Sequence, residues 1–318
     1  MSGTPFELNK KRVWVAGHRG MVGRALVERL AREDCNVLTV GRDTVDLRDA
    51  CAVRNWMAEA KPDVVILAAA VVGGIHANAS RPWDFLYDNL LIETSVIGAA
   101  REAGVGKLLF LGSSCIYPKH ADQPIQEGAL LGGPLEPTNA PYAIAKIAGL
   151  KLVEAARAQG GHDFISAMPT NLYGPHDNFH PTDSHVIPGL IRRAHNRKVA
   201  GGRDLPIWGT GSPRREFLHV ADCADALVFL LQHHSGEGHI NVGTGEDVTI
   251  RDVAAMVMEV VGLDGEIIAD PSQPDGTPRK RLDVSRLSAL GWKAKTDLRE
   301  GLEGTYRWFL DHQDTARL

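Results

Sequence analysis

Tyr142 and Lys146 stand at i, i+4, the spacing that puts two side chains on one face of a helix. Free tyrosine ionises near pH ~10, and an adjacent ammonium favours the phenolate. The pair therefore predicts a tyrosine drawn toward neutral pH as an acid–base group. Ser113 and Cys115 follow an apolar run upstream, where a hydroxyl can orient a carbonyl and a thiol lies beside it. Tyr-x-x-x-Lys is common by chance; with the upstream Ser and the glycine loop described next, in this order, it becomes specific.

Gly17, His18, Arg19, Gly20, Met21, Val22 and Gly23 form a G-x-x-G-x-x-G loop between an apolar run and a helical pattern. Glycines let backbone approach a pyrophosphate, and a helix N-terminus supplies N–H donors and partial positive charge. This predicts a dinucleotide site. Enzymes that take NAD place an acid at the end of the second strand, whereas this chain has Gly41 and Arg42 there, with Arg19 in the loop. Two guanidiniums suit the 2′-phosphate of NADP; the plainer reading is a pair of solvated arginines. Asp46 is a candidate acceptor for the adenine amino group.

The elements that must hold these residues alternate. Apolar runs at 12–16, 36–41, 63–70, 107–113 and 164–168 read as strands, with helical patterns at 20–33, 52–60, 83–103 and 142–159 between them. That alternation predicts βαβ units and a parallel sheet buried on both faces. Beyond 174 the chain turns rich in Pro, Gly, His, Asn and Arg. Helices are expected near 187–195, 222–233, 249–262 and 298–311, with a sixth strand at 239–243. The fold class is α/β: a Rossmann-type parallel sheet with a smaller, discontinuous C-terminal region. The expected division is 1–175, with 217–243 returning to it, against 176–216 and 244–318.

At about 150 residues per domain, 318 residues allow two domains or one large one. Lys+Arg number 35 against 39 Asp+Glu, a balance that argues against a nucleic-acid partner. The longest apolar run, 64–72, is too short to span a bilayer, and 1–12 lacks the apolar core of a signal peptide, so no membrane partner is expected. Cys35, Cys51, Cys115 and Cys223 are scattered, which points to thiols in a reducing cytoplasm rather than disulfides or zinc. His176 and His180 have zinc-helix spacing, but Pro175 and Pro181 bracket them and no Glu follows His176, so no metal is expected.

Together, the glycine loop, Ser113/Tyr142/Lys146, the run 169–175 and the run 215–220 resemble the extended short-chain dehydrogenase/reductase family over the chain from about residue 12. The stretches 113–119, 141–146, 171–179, 184–188 and 274–280 are similar, more narrowly, to its 3,5-epimerase–4-reductases of GDP-4-keto-6-deoxymannose. The resemblance implies NADP(H) as cofactor and a GDP-sugar as substrate. It implies proton transfers at C3 and C5 by Cys115 and His185, then reduction at C4 with Tyr142 as acid, Lys146 beside it and Ser113 on the carbonyl. Further cofactor contacts are implied at Leu111, Gly112, Ser114, Pro169, Thr170, Asn171, Leu172 and His185, and a homodimer is implied. A diphosphate calls for Arg193, Arg215 and Lys280, with Trp208 to stack on guanine and Asp275 to accept from the guanine edge or ribose. The alternatives are a nucleotide-sugar 4-epimerase or 4,6-dehydratase on the same scaffold, which would retain NAD, and a non-catalytic NADP-binding protein, which should lack Tyr142 or Lys146.

Overall fold

The computed structural model describes residues 5–273 and 275–313, without the side chain of Ile75. The first half forms β1 (Arg12–Ala16), α1 (Met21–Leu30), β2 (Asn36–Leu38), α2 (Ala50–Ala60), β3 (Val64–Leu67), α3 (Ile75–Ser80), α4 (Pro82–Glu102), β4 (Lys107–Leu111), α5 (Ala140–Gly160) and β5 (Phe164–Pro169). The second half adds β6 (Asn171–Tyr173), α6 (Val186–Val199), β7 (Leu205–Trp208), β8 (Arg214–Arg215), β9 (Phe217–His219), α7 (Val220–His233) and β10 (His239–Val242). It ends with β11 (Val248–Thr249), α8 (Ile250–Val261), β12 (Ile267–Asp270), β13 (Arg279–Lys280), α9 (Ser285–Ala289) and α10 (Leu298–Asp311).

Six parallel strands make the central sheet, in the order β10-β5-β4-β3-β1-β2. Both faces are buried because the inner strands are largely apolar and side chains alternate across a sheet. Trp14, Val65, Leu67, Leu108 and Phe110 join one core with α2, α4 and α5. Val13, Val15, Val64, Ile66 and Leu109 join the other with α1 and α7. From β1 the chain goes to β2 on one side and returns to β3 on the other. The strand order reverses between β1 and β3, so a crevice opens at their carboxyl ends.

A third core lies outside the sheet, where Ile191, Leu205, Val257, Leu302 and Phe309 bring α6, β7, α8 and α10 together. Two small sheets accompany it, β11-β8-β13 and β12-β7, while β6 pairs with β9.

Local chemistry explains several boundaries. Asp49 caps α2 by accepting from the backbone N–H groups of Cys51 and Ala52, and so starts that helix two residues before the apolar pattern does. The second strand was expected over 36–41 but ends at Leu38. It is an edge strand paired only with β1, and Val40 packs on the core without a ladder partner. Helix α3 has no counterpart in the periodicity. His176 sits at φ +66° and packs edge-on against Trp308, outside any helix. Among the described residues no helix is long and apolar enough to cross a membrane.

Candidate active site

The crevice begins at the β1–α1 turn. Gly17 has φ +98°, and a Cβ there would lie 2.6 Å from Ala69 N at the end of β3. A Cβ on Gly23 would come within 2.1 Å of Gly17 O, so helix and loop backbones touch through that glycine. Gly20 N donates to Gly17 O at 3.0 Å, and no side chain caps α1 at Gly20. The first-turn N–H groups of Met21 and Val22 therefore face outward, as an anion cradle requires. Burial, with Arg19 and Arg24 beside it, lowers the pKa of His18 and keeps the ring neutral.

Beyond the loop, the Arg19 guanidinium lies over Gly41, where a Cβ would be 2.5 Å from Nη2. Arg19 pairs with Asp43 at 3.1 Å and Arg42 with Asp46 at 3.5 Å. Each guanidinium thus pairs with an acid just beyond the carboxyl end of β2, which sets two cations in that region. Asp46 is bound by the Arg48 side chain at 2.7 Å, which holds its carboxyl down at about 2. Its oxygens are committed to Arg48 rather than left open for an adenine.

Ser113 follows β4, and its hydroxyl accepts from Cys115 N at 3.2 Å, which sets the Ser–Cys geometry. Tyr142 projects from the first turn of α5 into a small apolar cluster with Ala77 and Phe85, against which Val71 and Cys115 pack. Lys146, one turn on, is buried. Its ammonium lies 3.1 Å from Leu111 O and 3.2 Å from Glu93 Oε1, over the rings of Phe110 at 4.8 Å and Tyr142 at 5.9 Å. Ser114 is buried, and Gly112 packs under the end of the Met168 side chain.

One expectation is reversed. The Tyr–Lys pair predicts a lowered tyrosine pKa, yet that of Tyr142 is raised. Burial is the largest cause, with Cys115 and Glu93 adding to it and Ser113 opposing. The physical reason is burial of the phenol in an apolar cluster, which disfavours the phenolate, and Cys115 and the Glu93 carboxylate beside Lys146 act in the same direction.

His185 occupies the N-cap position of α6, with Nδ1 4.0 Å from Asp177 Oδ1. Burial pulls its pKa down, but the Asp177 carboxylate and the Gly73 backbone outweigh that and raise it. The loop carrying it is pinned where Gly74 N donates to Asp183 O at 3.1 Å. At Gly74 a Cβ would come 2.7 Å from Ser184 O, so this approach needs glycine.

Lys280 and Arg215 are register partners across β13 and β8. Lys280 Nζ reaches Cys115 Sγ at 3.9 Å. Burial lowers the pKa of Arg215, with Cys115 and Asp275 opposing, so this guanidinium also faces the thiol. Arg193 lies over the Trp208 ring at 5.5 Å; its pKa is lowered by burial, and its Nε is buried without a hydrogen-bond partner among the described residues. Asp275 is held by Thr210, through N at 2.7 Å and Oγ1 at 2.9 Å, one bond to each carboxylate oxygen. Pro169 ends β5; Thr170 Oγ1 and Asn171 Nδ2 donate to Glu216 O at 3.2 and 2.8 Å, and Leu172 packs under the sheet. Pro274, part of the stretch 274–280, lies outside the described residues.

The structure thus gathers Ser113, Cys115, Tyr142, Lys146, Lys280 and Arg215 around one thiol and one phenol. His185 enters from α6, and Arg193 with Trp208 stands farther along that helix. Sequence reasoning missed Glu93 and Asp177. Asp177 lay inside a quoted motif without a role. Glu93 carried the one visible signal, an acid on the buried stripe of Phe85, Asn89, Ile92 and Val96.

Comparisons agree along the whole chain. The NAD dependent epimerase/dehydratase family model matches residues 13–243. The chain is similar to GDP-L-fucose synthase of Sinorhizobium fredii (strain NBRC 101917 / NGR234), 55% identical over 96% of this chain and 98% of that one. It is similar to GDP-L-fucose synthase of Escherichia coli (strain K12), 52% identical over 98% of this chain and 100% of that one. Among solved structures, a GDP-L-fucose synthetase from Naegleria fowleri bound to NADP has a TM-score of 0.92 at 28% identity, covering 100% of this chain and 99% of its own.

Proposed function

The chain belongs to the NAD dependent epimerase/dehydratase family, within the branch of the GDP-L-fucose synthases, and from that premise we propose that it converts GDP-4-keto-6-deoxy-D-mannose to GDP-L-fucose. The reaction is epimerisation at C3 and C5 followed by NADPH-dependent reduction of the C4 ketone.

One observation carries this reading: the thiol of Cys115 shares a site with Ser113 and Tyr142 and lies 3.9 Å from Lys280. A reductase alone has no use for a thiol beside its tyrosine. An enzyme that must also exchange protons next to the ketone does.

The C4 carbonyl acidifies the hydrogens at C3 and C5. Cys115 and His185 take each proton from one face and return one to the other, while Ser113 holds the enolate oxygen. Asp177 keeps the His185 imidazolium available near neutral pH. NADPH, when bound, supplies the hydride for C4. Tyr142 then gives its phenolic proton to the C4 oxygen, and the raised tyrosine suits that direction because the acid must start protonated.

The glycine cradle, with the backbone of Gly17, Gly20 and Gly23, fits the pyrophosphate of NADPH, and Arg19 with Arg42 fits its 2′-phosphate. Arg193, Arg215 and Lys280 take the GDP diphosphate, and Trp208 the guanine. Residues 1–175 with 217–243 serve the cofactor; 176–216 with 244–318 serve the sugar nucleotide. The exposed apolar side chains Trp83, Tyr87, Ile144 and Leu152 of α4 and α5 support a homodimer through that face. Four cysteines without disulfides, Cys35, Cys51, Cys115 and Cys223, suit the cytoplasm.

The test is incubation with GDP-4-keto-6-deoxymannose in D₂O, with and without NADPH, followed by NMR. Deuterium should enter C3 and C5 without NADPH, and GDP-fucose should form with it. No exchange and no NADPH oxidation would reject the substrate.

A further inference from the structure

The buried face of α4 carries one acid. Glu93 is 1% exposed, among Phe85, Asn89, Ile92 and Val96. A carboxylate is not left in an apolar core without compensation, and its only cationic neighbour among the described residues is Lys146, at 3.2 Å. The neighbouring helix is built to admit it. Gly149 lies on α5 three residues after Lys146, and a Cβ there would meet Glu93 Oε2 at 2.5 Å and Phe110 Cζ at 2.6 Å. A glycine inside a helix weakens it, so this one has a packing reason: it makes room for the carboxylate.

An ammonium has three donors. Leu111 O accepts from one of them, and Glu93 Oε1 stands at ion-pair distance, 3.2 Å. Burial acts most strongly on the Tyr142 phenol, and four side chains surround it. From α5 comes Lys146, 5.9 Å from the ring; from α4, Glu93; from the segment after β4, Cys115 and Ser113. Lys146 and Ser113 favour the phenolate, whereas Glu93 and Cys115 disfavour it.

We infer that Glu93 is a positioning residue for the reduction, which by its ion pair with Lys146 neutralises the ammonium behind Tyr142 and keeps the phenol protonated as the donor to the C4 oxygen. The inference rests on the proposed role of Tyr142. An unpaired ammonium would shed phenolic protons early and suit the oxidative direction; the pair suits reduction. The balance is simple. Tyr142 loses one proton to the C4 oxygen in each turnover and regains one from solvent.

The experiment compares Glu93→Gln and Glu93→Asp with wild type. The rate of NADPH-dependent reduction is followed from neutral to alkaline pH, beside deuterium exchange at C3 and C5. Ultraviolet absorbance, referenced to Tyr142→Phe, reads Tyr142 ionisation without substrate. A required acid loses rate as pH rises through its ionisation. Removing the carboxylate should therefore bring both the alkaline fall in reduction and the phenolate absorbance about one pH unit or more lower. The exchange profile should stay in place, and Glu93→Asp should restore most of the shift. A uniform loss of rate with unmoved profiles would mean a purely structural residue and overturn the inference. If Glu93→Gln does not fold, Glu93→Gln/Lys146→Met, which buries no charge there, replaces it. That double variant should differ only slightly from Lys146→Met, by the direct effect of the carboxylate on the phenol; a shift of about one pH unit or more would show Glu93 acting independently of Lys146 and would also overturn the inference. Phenolate moving as expected in a protein that reduces no GDP-keto sugar would instead uphold the charge pair and reject the functional reading.

Discussion

Replacing Gly23 with alanine should separate helix α1 from the phosphate loop. The added Cβ would lie 2.1 Å from Gly17 O, 2.7 Å from Gly17 C and 2.7 Å from His18 Cα. All three neighbours are backbone, so no side chain can turn aside. Ordinary carbon–oxygen contact is near ~3.3 Å, leaving an overlap of about 1.2 Å to relieve by shifting the helix. Overpacking of this kind costs about 3 kcal/mol, the upper end for small-to-large changes in tight sites. In a chain of 318 residues each kcal/mol lowers Tm by about 1.5 °C, so Gly23→Ala should melt roughly 4–5 °C below wild type. The cofactor should suffer too, since a displacement of about 1 Å in a positioning element costs on the order of 100-fold. Gly20→Ala is the control. Its Cβ would meet Gly17 O at 3.4 Å, an ordinary contact, so its Tm should stay close to wild type while its methyl narrows the approach to the pyrophosphate. The assay is thermal unfolding by circular dichroism with a parallel NADPH titration. Equal Tm values for Gly23→Ala and wild type would refute the reasoning, because they would mean the loop can yield at no cost.

Arg42→Ala should weaken NADPH by about 10–100-fold and leave NADH nearly unchanged, since a charge-assisted phosphate contact is worth about 1.5–3 kcal/mol; competitive binding of the two cofactors reads it. Arg193→Met should raise KM for the GDP-sugar by about 10-fold or more with kcat little changed, because the buried guanidinium waits for an anion rather than touching the reacting carbons. Asp177→Asn removes what raises the His185 pKa, so the pH profile of C3/C5 exchange should move toward acid; a profile that stays in place means another group sets it. Tyr142→Phe should cut reduction by about 100–10,000-fold while deuterium exchange continues, and equal loss of both would contradict the division of labour.

Much of this architecture is legible in the residues themselves. The alternation of apolar runs with helical patterns marks five of the six central strands in order, and the sixth, β10, at 239–243. The glycine loop and the Tyr142/Lys146 spacing are local features: a turn that needs φ > 0 and two residues one helical turn apart carry their geometry wherever the chain is placed. The short edge strand β2 and helix α3 were less visible, because pairing and packing with neighbours rather than periodicity set their limits.

The electrostatics of the site belong to the tertiary structure. Lys280 and Cys115 are 165 positions apart and meet where the chain after Lys280 lies against the segment after Cys115, Ile125 bridging Leu282. Glu93 and Lys146 sit on different helices, so neither spacing nor type reveals that the carboxylate faces the ammonium. The expected lowering of the Tyr142 pKa failed because the packed structure buries the phenol and sets Cys115 and Glu93 near it. A pKa depends on burial and on every charge within a few ångströms, and those distances exist only once the helices have packed.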